Sequence, residues 1–261
     1  MTLAGKIALV TGSGTGIGQG IAAEFGKRGV KVAVHYNTSD SGAKETVRRI
    51  EEAGGEALLV QANVANRSEI ERMVNQVVQT FGGIDILVNN AALQLNYGLY
   101  DHNEETFDRM MSINLKGYWQ CMQAVVPYMK LKNRGRIILI SSVHAKRPTD
   151  FDVVYSMTKG GIRMLGRESA IELGRYGITV NMIEPGTVKV ARLNARNTKP
   201  FYCAEEIAKA ARNPKPVTAK FPLGRVGMPS DVASLACFIA SDESDFLNGS
   251  AIRLDGGSML L

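Results

Sequence analysis

Ile7-Ala8-Leu9-Val10-Thr11-Gly12-Ser13-Gly14-Thr15-Gly16-Ile17-Gly18 is the stretch on which the architecture turns. Its first four residues are a short apolar run of the kind that fills a buried strand. From Gly16 to Lys27 the apolar positions Ile17, Ile21 and Phe25 recur at spacing four, which predicts a helix. A glycine-rich turn therefore joins a strand to a helix. Glycines let backbone N–H groups approach a pyrophosphate closely, and a helix N-terminus adds favourable partial charge. The G-x-G-x-x-G spacing has no register here. What stands is G-x-x-x-G-x-G on Gly12, Gly16 and Gly18. The competing reading is a tight turn with no ligand.

Outward from this turn the same alternation repeats. Strands are predicted at Lys31–Tyr36, Glu56–Gln61, Ile84–Asn89, Arg136–Ser141, Ile178–Ile183 and Ser250–Leu254. Helices are predicted from Gly42 to Ala53, from an N-cap at Ser68 to Phe81, over Glu104–Lys132 with Pro127 inside it, and over Tyr155–Arg175. Strands separated by helices of this length pair in parallel through right-handed crossovers. Their apolar character on both faces requires helices above and below the sheet. The expectation is one α/β domain over 1–261, a doubly wound seven-stranded parallel sheet flanked by helices on both faces. The pattern breaks between Thr187 and Pro229, where Pro200, Pro214, Pro216, Pro222 and Pro229 cluster around a short helix at Ala204–Ala211. The segment 187–229 is read as a lid or binding loop over the substrate.

Composition narrows the function classes. Charged residues are 21% and hydrophobic residues 45%, which excludes a disordered chain. The net charge of +6 is spread through mixed runs such as Lys44-Glu45 and Glu69-Glu71-Arg72, not gathered into a basic stripe. No nucleic-acid partner is expected. No run approaches the length of a membrane span and no signal peptide opens the chain, so no membrane partner and a cytoplasmic location are expected. Cys121, Cys203 and Cys237 are odd in number and far apart, and no His/Cys/Asp cluster has metal-ligand spacing. His35 and His102 read as surface or loop residues.

Five further motifs fall in order along the chain. Asn89-Asn90-Ala91-Ala92 follows the fourth strand. Asn114 sits in Ile113-Asn114-Leu115-Lys116-Gly117. Ser142 lies 13 residues before Tyr155, Tyr155-Ser156-Met157-Thr158-Lys159 is Y-x-x-x-K, and Pro185-Gly186 follows the sixth strand. With Thr11-Gly12-x-x-x-Gly16-Ile17-Gly18, this series resembles the short-chain dehydrogenase/reductase family over nearly the whole length. Ala92 replaces that family's final glycine. The resemblance implies a Rossmann fold, a nicotinamide dinucleotide and an oxidoreductase activity. Catalytic roles are implied for Ser142, Tyr155, Lys159 and Asn114. Cofactor contacts are implied at Gly12, Ser13, Thr15, Gly16, Ile17, Gly18, Asn90, Ala91, Pro185, Gly186 and Val188, and again at Tyr155 and Lys159.

The chemistry behind Tyr155 and Lys159 stands on its own. At i and i+4 they share one helix face. A phenol with a pKa of about 10 is a poor base near neutrality, and a fixed ammonium beside it favours phenolate. Tyr155 then exchanges a proton with a carbonyl or alcohol oxygen, and Ser142 hydrogen-bonds the same oxygen. By resemblance, Lys159 also holds the nicotinamide ribose and Asn114 helps hold a water of the proton relay. Taken singly, the alternatives are a surface pair, a turn-capping serine and a helix asparagine bonded to backbone.

An acid at the end of the second strand would favour NAD(H) by binding ribose hydroxyls and repelling a 2′-phosphate. Here Tyr36 stands where NAD-preferring relatives carry Asp, followed by Asn37, Thr38 and Ser39, all able to donate to a phosphate. Asp40 comes later, and no Arg or Lys sits there. The balance favours NADP(H) over NAD(H). Asn63-Val64 matches the family's pair beside adenine.

Substrate contacts are expected from the loop after Ala92, with Gln94, Leu95, Asn96 and Tyr97, and from the segment between Ser142 and Tyr155, with His144, Lys146 and Phe151; Gln94, His144 and Phe151 are the leading candidates. Ser141-Ser142-Val143-His144, with Tyr155 and Lys159-Gly160-Gly161, resembles the bacterial glucose 1-dehydrogenase branch. That resemblance implies a sugar- or cyclitol-like substrate, with a secondary alcohol and ketone, or a cyclic hemiacetal and lactone, interconverted. The alternatives are a 3-oxoacyl-acyl-carrier-protein reductase, a small-ketone reductase and a non-catalytic NADP(H)-binding regulator. The apolar surplus of the 104–130 and 155–175 helices, including Trp119, Met122, Val125, Met164 and Leu165, together with the family's habit, leads to an expected homotetramer.

Overall fold

A computed structural model describes residues 3–148, 153–190 and 220–261. Strand β1 (Ile7–Val10) leads through α1 (Gly16–Lys27) to β2 (Lys31–Tyr36), α2 (Asp40–Glu52), β3 (Ala57–Gln61), α3 (Arg67–Phe81) and β4 (Ile86–Asn89). The second half runs α4 (Glu104–Met111), α5 (Gly117–Leu131), β5 (Gly135–Ile140), α6 (Val153–Gly174), β6 (Ile178–Pro185), α7 (Pro229–Ala240) and β7 (Ala251–Leu254). All neighbouring strands are parallel in one seven-stranded sheet of order β3-β2-β1-β4-β5-β6-β7. The order reverses between β1 and β4, and ligands of such sheets bind in the crevice beyond the carboxyl ends at that point.

Alternation along each strand sends side chains to two cores. Leu9, Leu87, Ile137 and Leu139 join the layer with α3, α5 and α6. Ala8, Val10, Ile86, Val88, Ile138 and Ile140 join the layer with α1, α2 and α7. Ile21 and Phe25 of the α1 stripe are fully buried there, and burying a side chain of this size stabilises by about 1.5–3 kcal/mol. Helices α1 and α7 meet closely at Gly20, where a Cβ would stand 2.6 Å from the Pro229 ring.

Several boundaries differ from expectation for physical reasons. Helix α2 begins at Asp40, because Asp40 and Lys44 make an i,i+4 ion pair in its first turn. Helix α3 is capped by Asn66, not Ser68: the Asn66 side chain accepts from both Ser68 N and Glu69 N. The 104–132 region is not one regular helix. A π-helical turn at Ser112–Lys116 separates α4 from α5 and carries Asn114. Helix α7 goes unread in the sequence, and its Pro229, taken as the end of the irregular stretch, is instead a favourable first helical residue. Of 187–229, only 187–190 and 220–229 are described, so the helix expected at 204–211 lies outside the described residues. The two described flanks meet, with Val188 bridged to Gly227 and Lys189 N donating to Gly227 O at 2.8 Å. Among the described residues no helix is long and apolar enough to cross a membrane. The thiols of Cys121 and Cys237 are free and buried, and burial pushes both up to about 12.

Candidate active site

The glycine turn is built for close approach. A Cβ on Gly18 would stand 2.4 Å from both Gly12 O and Asn90 Nδ2, and one on Gly12 would stand 2.8 Å from Ala91 Cα. Gly12 and Gly16 both hold positive φ, at 65° and 60°. Thr15 precedes α1 with an extended backbone, and no side chain caps the helix. The first-turn amides of α1 therefore lack a capping acceptor, which fits an anionic phosphate. Val190 lies over the turn, its Cγ1 3.2 Å from where a Gly16 Cβ would be.

Not every expected cofactor residue presents its side chain outward. Ser13 is fully buried, and its Oγ donates to Val10 O at 2.8 Å and accepts from His35 N at 2.9 Å. Asn90 Nδ2 donates to Thr11 O and Gly12 O, bracing the turn from beneath, while Thr11 Oγ1 accepts from Asn90 N and Ala91 N. Asn63 uses its Oδ1 on Ala65 N at 3.0 Å, and Val64 is buried with its carbonyl 2.8 Å from where a Gly117 Cβ would be. Thr15, Asn37 and Thr38 are exposed, while Ile17, Tyr36 and Ser39 are half-buried. Asp40 is committed to Lys44 at 2.8 Å. Hydrogen bonding to that ammonium, and further to the Tyr36 hydroxyl, lowers its carboxyl, whereas burial and Asp40 raise the Tyr36 phenol. Pro185 ends β6 and Gly186 N donates to Leu254 O at 3.0 Å, while the Val188 side chain enters the core.

His35 is corrected outright. It is a buried strand residue, 1% exposed, and both ring nitrogens are bonded. His102 is half-buried; its Nδ1 lies 3.1 Å from Thr106 Oγ1 and its ring packs on Tyr97.

The ends of β5 and α6 bring Ser142, Tyr155 and Lys159 together. Ser142 is buried at the start of a 3₁₀ turn (Val143–Ala145), and its Oγ accepts from His144 N at 3.2 Å. That bond leaves the hydroxyl proton to be donated outward. Lys159 is buried, with Nζ donating to Ile140 O at 2.8 Å and lying 5.3 Å from the Tyr155 ring centre. Tyr118, wholly buried beneath it, donates its hydroxyl to the same carbonyl at 3.2 Å and presents its ring 5.6 Å from Nζ. Burial lowers the Lys159 ammonium to about 7.

Asn114 is fully buried in the π turn. Its Oδ1 accepts from Leu93 N at 2.7 Å and its Nδ2 donates to Leu93 O and Thr158 Oγ1, and Thr158 in turn bonds Tyr155 O. It staples the loop after β4 to the Tyr155 turn of α6. Around Tyr155 stands a small apolar wall of Leu93, Leu95, Tyr97, Phe107, Met110 and Val154. His144 meets the Tyr155 ring edge-on at 6.0 Å, and burial, then the nearby Lys159 charge, lowers its imidazole. His144 Nδ1 and Asn96 Oδ1 are buried without a hydrogen-bond partner. Gln94 is exposed on the same loop, and Phe151 lies outside the described residues. Asn96 lies on the loop after Ala92 from which substrate contacts are expected; sequence reasoning missed Tyr118 and the role of His35, since nothing in their local pattern distinguishes them from ordinary helix and strand positions.

Comparison with known proteins gives the family. A family model described as enoyl-(acyl carrier protein) reductase matches residues 12–259. The hydroxynaphthalene reductase-like protein Arp2 of Metarhizium majus is 37% identical over 265 residues, spanning 99% of this chain and 96% of that protein. The 3β-hydroxysteroid dehydrogenase 1 of Eggerthella lenta is 36% identical over 259 residues, spanning 99% and 95%. Among solved structures, a protein of Sinorhizobium meliloti 1021 assigned as a short-chain alcohol dehydrogenase superposes with a TM-score of 0.88 at 32% identity, spanning 100% of this chain and 99% of that one.

Proposed function

Because the chain belongs to the short-chain dehydrogenase/reductase family, we propose that it interconverts a secondary alcohol and a ketone on an oxygenated ring, with NADP(H) preferred over NAD(H). The observation that carries this reading is Lys159 Nζ, 5.3 Å from the Tyr155 ring, beside a Ser142 hydroxyl whose lone pair already accepts from His144 N. A dinucleotide held by its pyrophosphate at the glycine turn would supply or accept the hydride through its nicotinamide. Ser142 and Tyr155 hold the reacting oxygen, and Tyr155 gives it a proton in reduction or takes one in oxidation. Lys159 stabilises the phenolate. Asn114 serves by holding the loop after β4 against the Tyr155 turn of α6, through Leu93 and Thr158.

The ring substrate is supported by the apolar wall around Tyr155 and by the names of the relatives, which refer to hydroxynaphthalenes and hydroxysteroids. A sugar or cyclitol is the second reading. It is favoured by the unpartnered His144 Nδ1 and Asn96 Oδ1, which suit a ligand with several hydroxyls. An acyl-carrier substrate has less support: Lys132, Arg134 and Arg136 are each paired, with Asp85, Asp242 and Asp245. The NADP(H) preference rests on Asp40 being spent on Lys44, which leaves donors from Asn37, Thr38 and Ser39 nearest a 2′-phosphate.

Initial rates across tetralones, 3-oxosteroids, inositols and aldoses, each with both nicotinamide pairs, test this. Turnover of a ring ketone with a KM for NADPH about tenfold below that for NADH is expected, a difference of about 1.4 kcal/mol. Inertness across the panel, unchanged in Tyr155→Phe, would make the protein a nucleotide-binding regulator instead.

A homotetramer belongs to the same proposal. Trp119, Met157, Met164 and Ile171 expose large apolar area on α5 and α6, and a groove there is lined by Met111, Leu115, Trp119 and Leu165. Light scattering is expected to give about four times the 28.3 kDa chain mass. A monomeric mass would remove this part.

A further inference from the structure

We infer that His35 is a positioning residue of the dinucleotide site, a neutral ring that fixes the glycine turn to the end of β3. The inference rests on the reading that this turn holds a nicotinamide dinucleotide.

The geometry assigns the ring's tautomer. Gly12 N donates to His35 Nδ1 at 2.8 Å, so Nδ1 carries no proton. The proton therefore sits on Nε2, which donates to Ala62 O at 2.9 Å. The backbone of His35 is equally committed: its N–H donates to Ser13 Oγ at 2.9 Å and its carbonyl accepts from Ser13 N at 2.9 Å. His35 thus ties the turn after β1 to the residue that follows β3. One ring nitrogen holds the residue where the turn begins, and the other holds the residue just before Asn63-Val64.

Gly12 has little freedom without this support. Its carbonyl is taken by Asn90 Nδ2, and a Cβ at this position would stand 2.8 Å from Ala91 Cα. Its N–H needs an acceptor, and the imidazole provides one. Burial pushes the ring's pKa down to about 4, against a smaller rise from the Ala62 bond, so the acceptor persists through the neutral range. A leucine at this position would leave both the Gly12 N–H and the Ala62 carbonyl without partners. An asparagine would restore an acceptor near the Nδ1 position.

The test measures dinucleotide affinity by calorimetry on the whole chain, for wild type, His35→Leu and His35→Asn, alongside kcat and both KM values. His35→Leu is expected to weaken dinucleotide binding about 10- to 100-fold, the cost of stranding a buried donor, with kcat at saturation and substrate KM little changed. His35→Asn is expected to recover to within about threefold of wild type. Equal affinity in wild type and folded His35→Leu would overturn the inference, as would equal loss in both variants. Should His35→Leu not fold, ¹⁵N spectra of the wild-type ring decide: a bare Nδ1 and protonated Nε2 are expected, and the opposite tautomer would overturn the assignment. If wild type binds no dinucleotide while its ring shows the assigned tautomer, the functional reading fails, not the geometry of His35.

Discussion

Lys159→Met is expected to abolish turnover and at the same time stabilise the fold. The ammonium is wholly enclosed, and burial brings it from 10.5 down to about 7. Between those two values the unfolded chain binds more protons than the native one. Wild-type stability therefore rises with pH across that window, and at or below neutrality the group costs stability, by at most about 5 kcal/mol. Methionine fills similar volume without a charge. The Ile140 carbonyl is not stranded, because Tyr118 still donates to it at 3.2 Å. After allowing for the lost Nζ bond and ring contacts, a gain of about 2 kcal/mol at pH 7 is expected. Activity moves the other way: without the ammonium, Tyr155 loses the charge that makes its phenolate accessible, and a fall of about 10³-fold or more in kcat is expected. Tyr155→Phe should match that fall with little change in stability. Urea unfolding at pH 7 and pH 10, with turnover measured in parallel, checks both halves. The wild-type rise in stability toward pH 10 should flatten in Lys159→Met. An unchanged or lower midpoint at pH 7 would mean that the ammonium is a structural member, not a functional cost.

Features carried by a local pattern or by residue type are legible in the sequence, and those made by distant neighbours are not. Helix α1 and strands β1 and β2 carry clean periodicities, and their ends are where the pattern puts them. Helix α7 was not legible because Ala233, Ala236, Cys237, Ile239 and Ala240 are small or apolar on nearly every side and show no stripe. The π turn has no periodic signature, since it adds one residue to an otherwise continuous helix. Ser142, Tyr155 and Lys159 were legible because their chemistry depends on residue type and spacing. His35 was not, because its role depends on the parallel neighbours that the fold supplies: β1 ends beside its Nδ1 and β3 beside its Nε2. Substrate identity was the least legible. The Ser142–His144 stretch resembles sugar dehydrogenases, whereas the apolar wall comes from α4, α6 and the loop after β4, which only folding brings together.

Arg163→Met is expected to destabilise the protein strongly, because of what it leaves behind. Glu184 is the penultimate residue of β6, immediately before Pro185, and its side chain is 0% exposed. Its Oε1 accepts from Arg163 Nη1 at 2.6 Å. Its Oε2 has no hydrogen bond, and Lys146 Nζ stands 3.6 Å away from a side chain 51% exposed. Arg163 is thus the partner that makes the buried carboxylate tolerable, and Lys146, held by solvent, substitutes poorly. Removing one partner of a buried ion pair costs about 3–5 kcal/mol, whereas replacing both with apolar groups is often neutral. Arg163→Met alone should therefore lose about 3 kcal/mol, and adding Glu184→Met should recover most of it. Lys146→Met should cost less than about 1 kcal/mol, as an exposed cation does. Urea denaturation of the four members of the Arg163/Glu184 cycle measures the coupling directly. If the double variant is no more stable than Arg163→Met, the loss comes from packing around the guanidinium and not from a stranded charge. The pair also joins α6, which carries Tyr155 and Lys159, to the end of β6, and Lys146 extends the contact to the segment after Ser142. The same stranded carboxylate should then lower kcat in the folded Arg163→Met enzyme, and the double variant should regain activity along with stability.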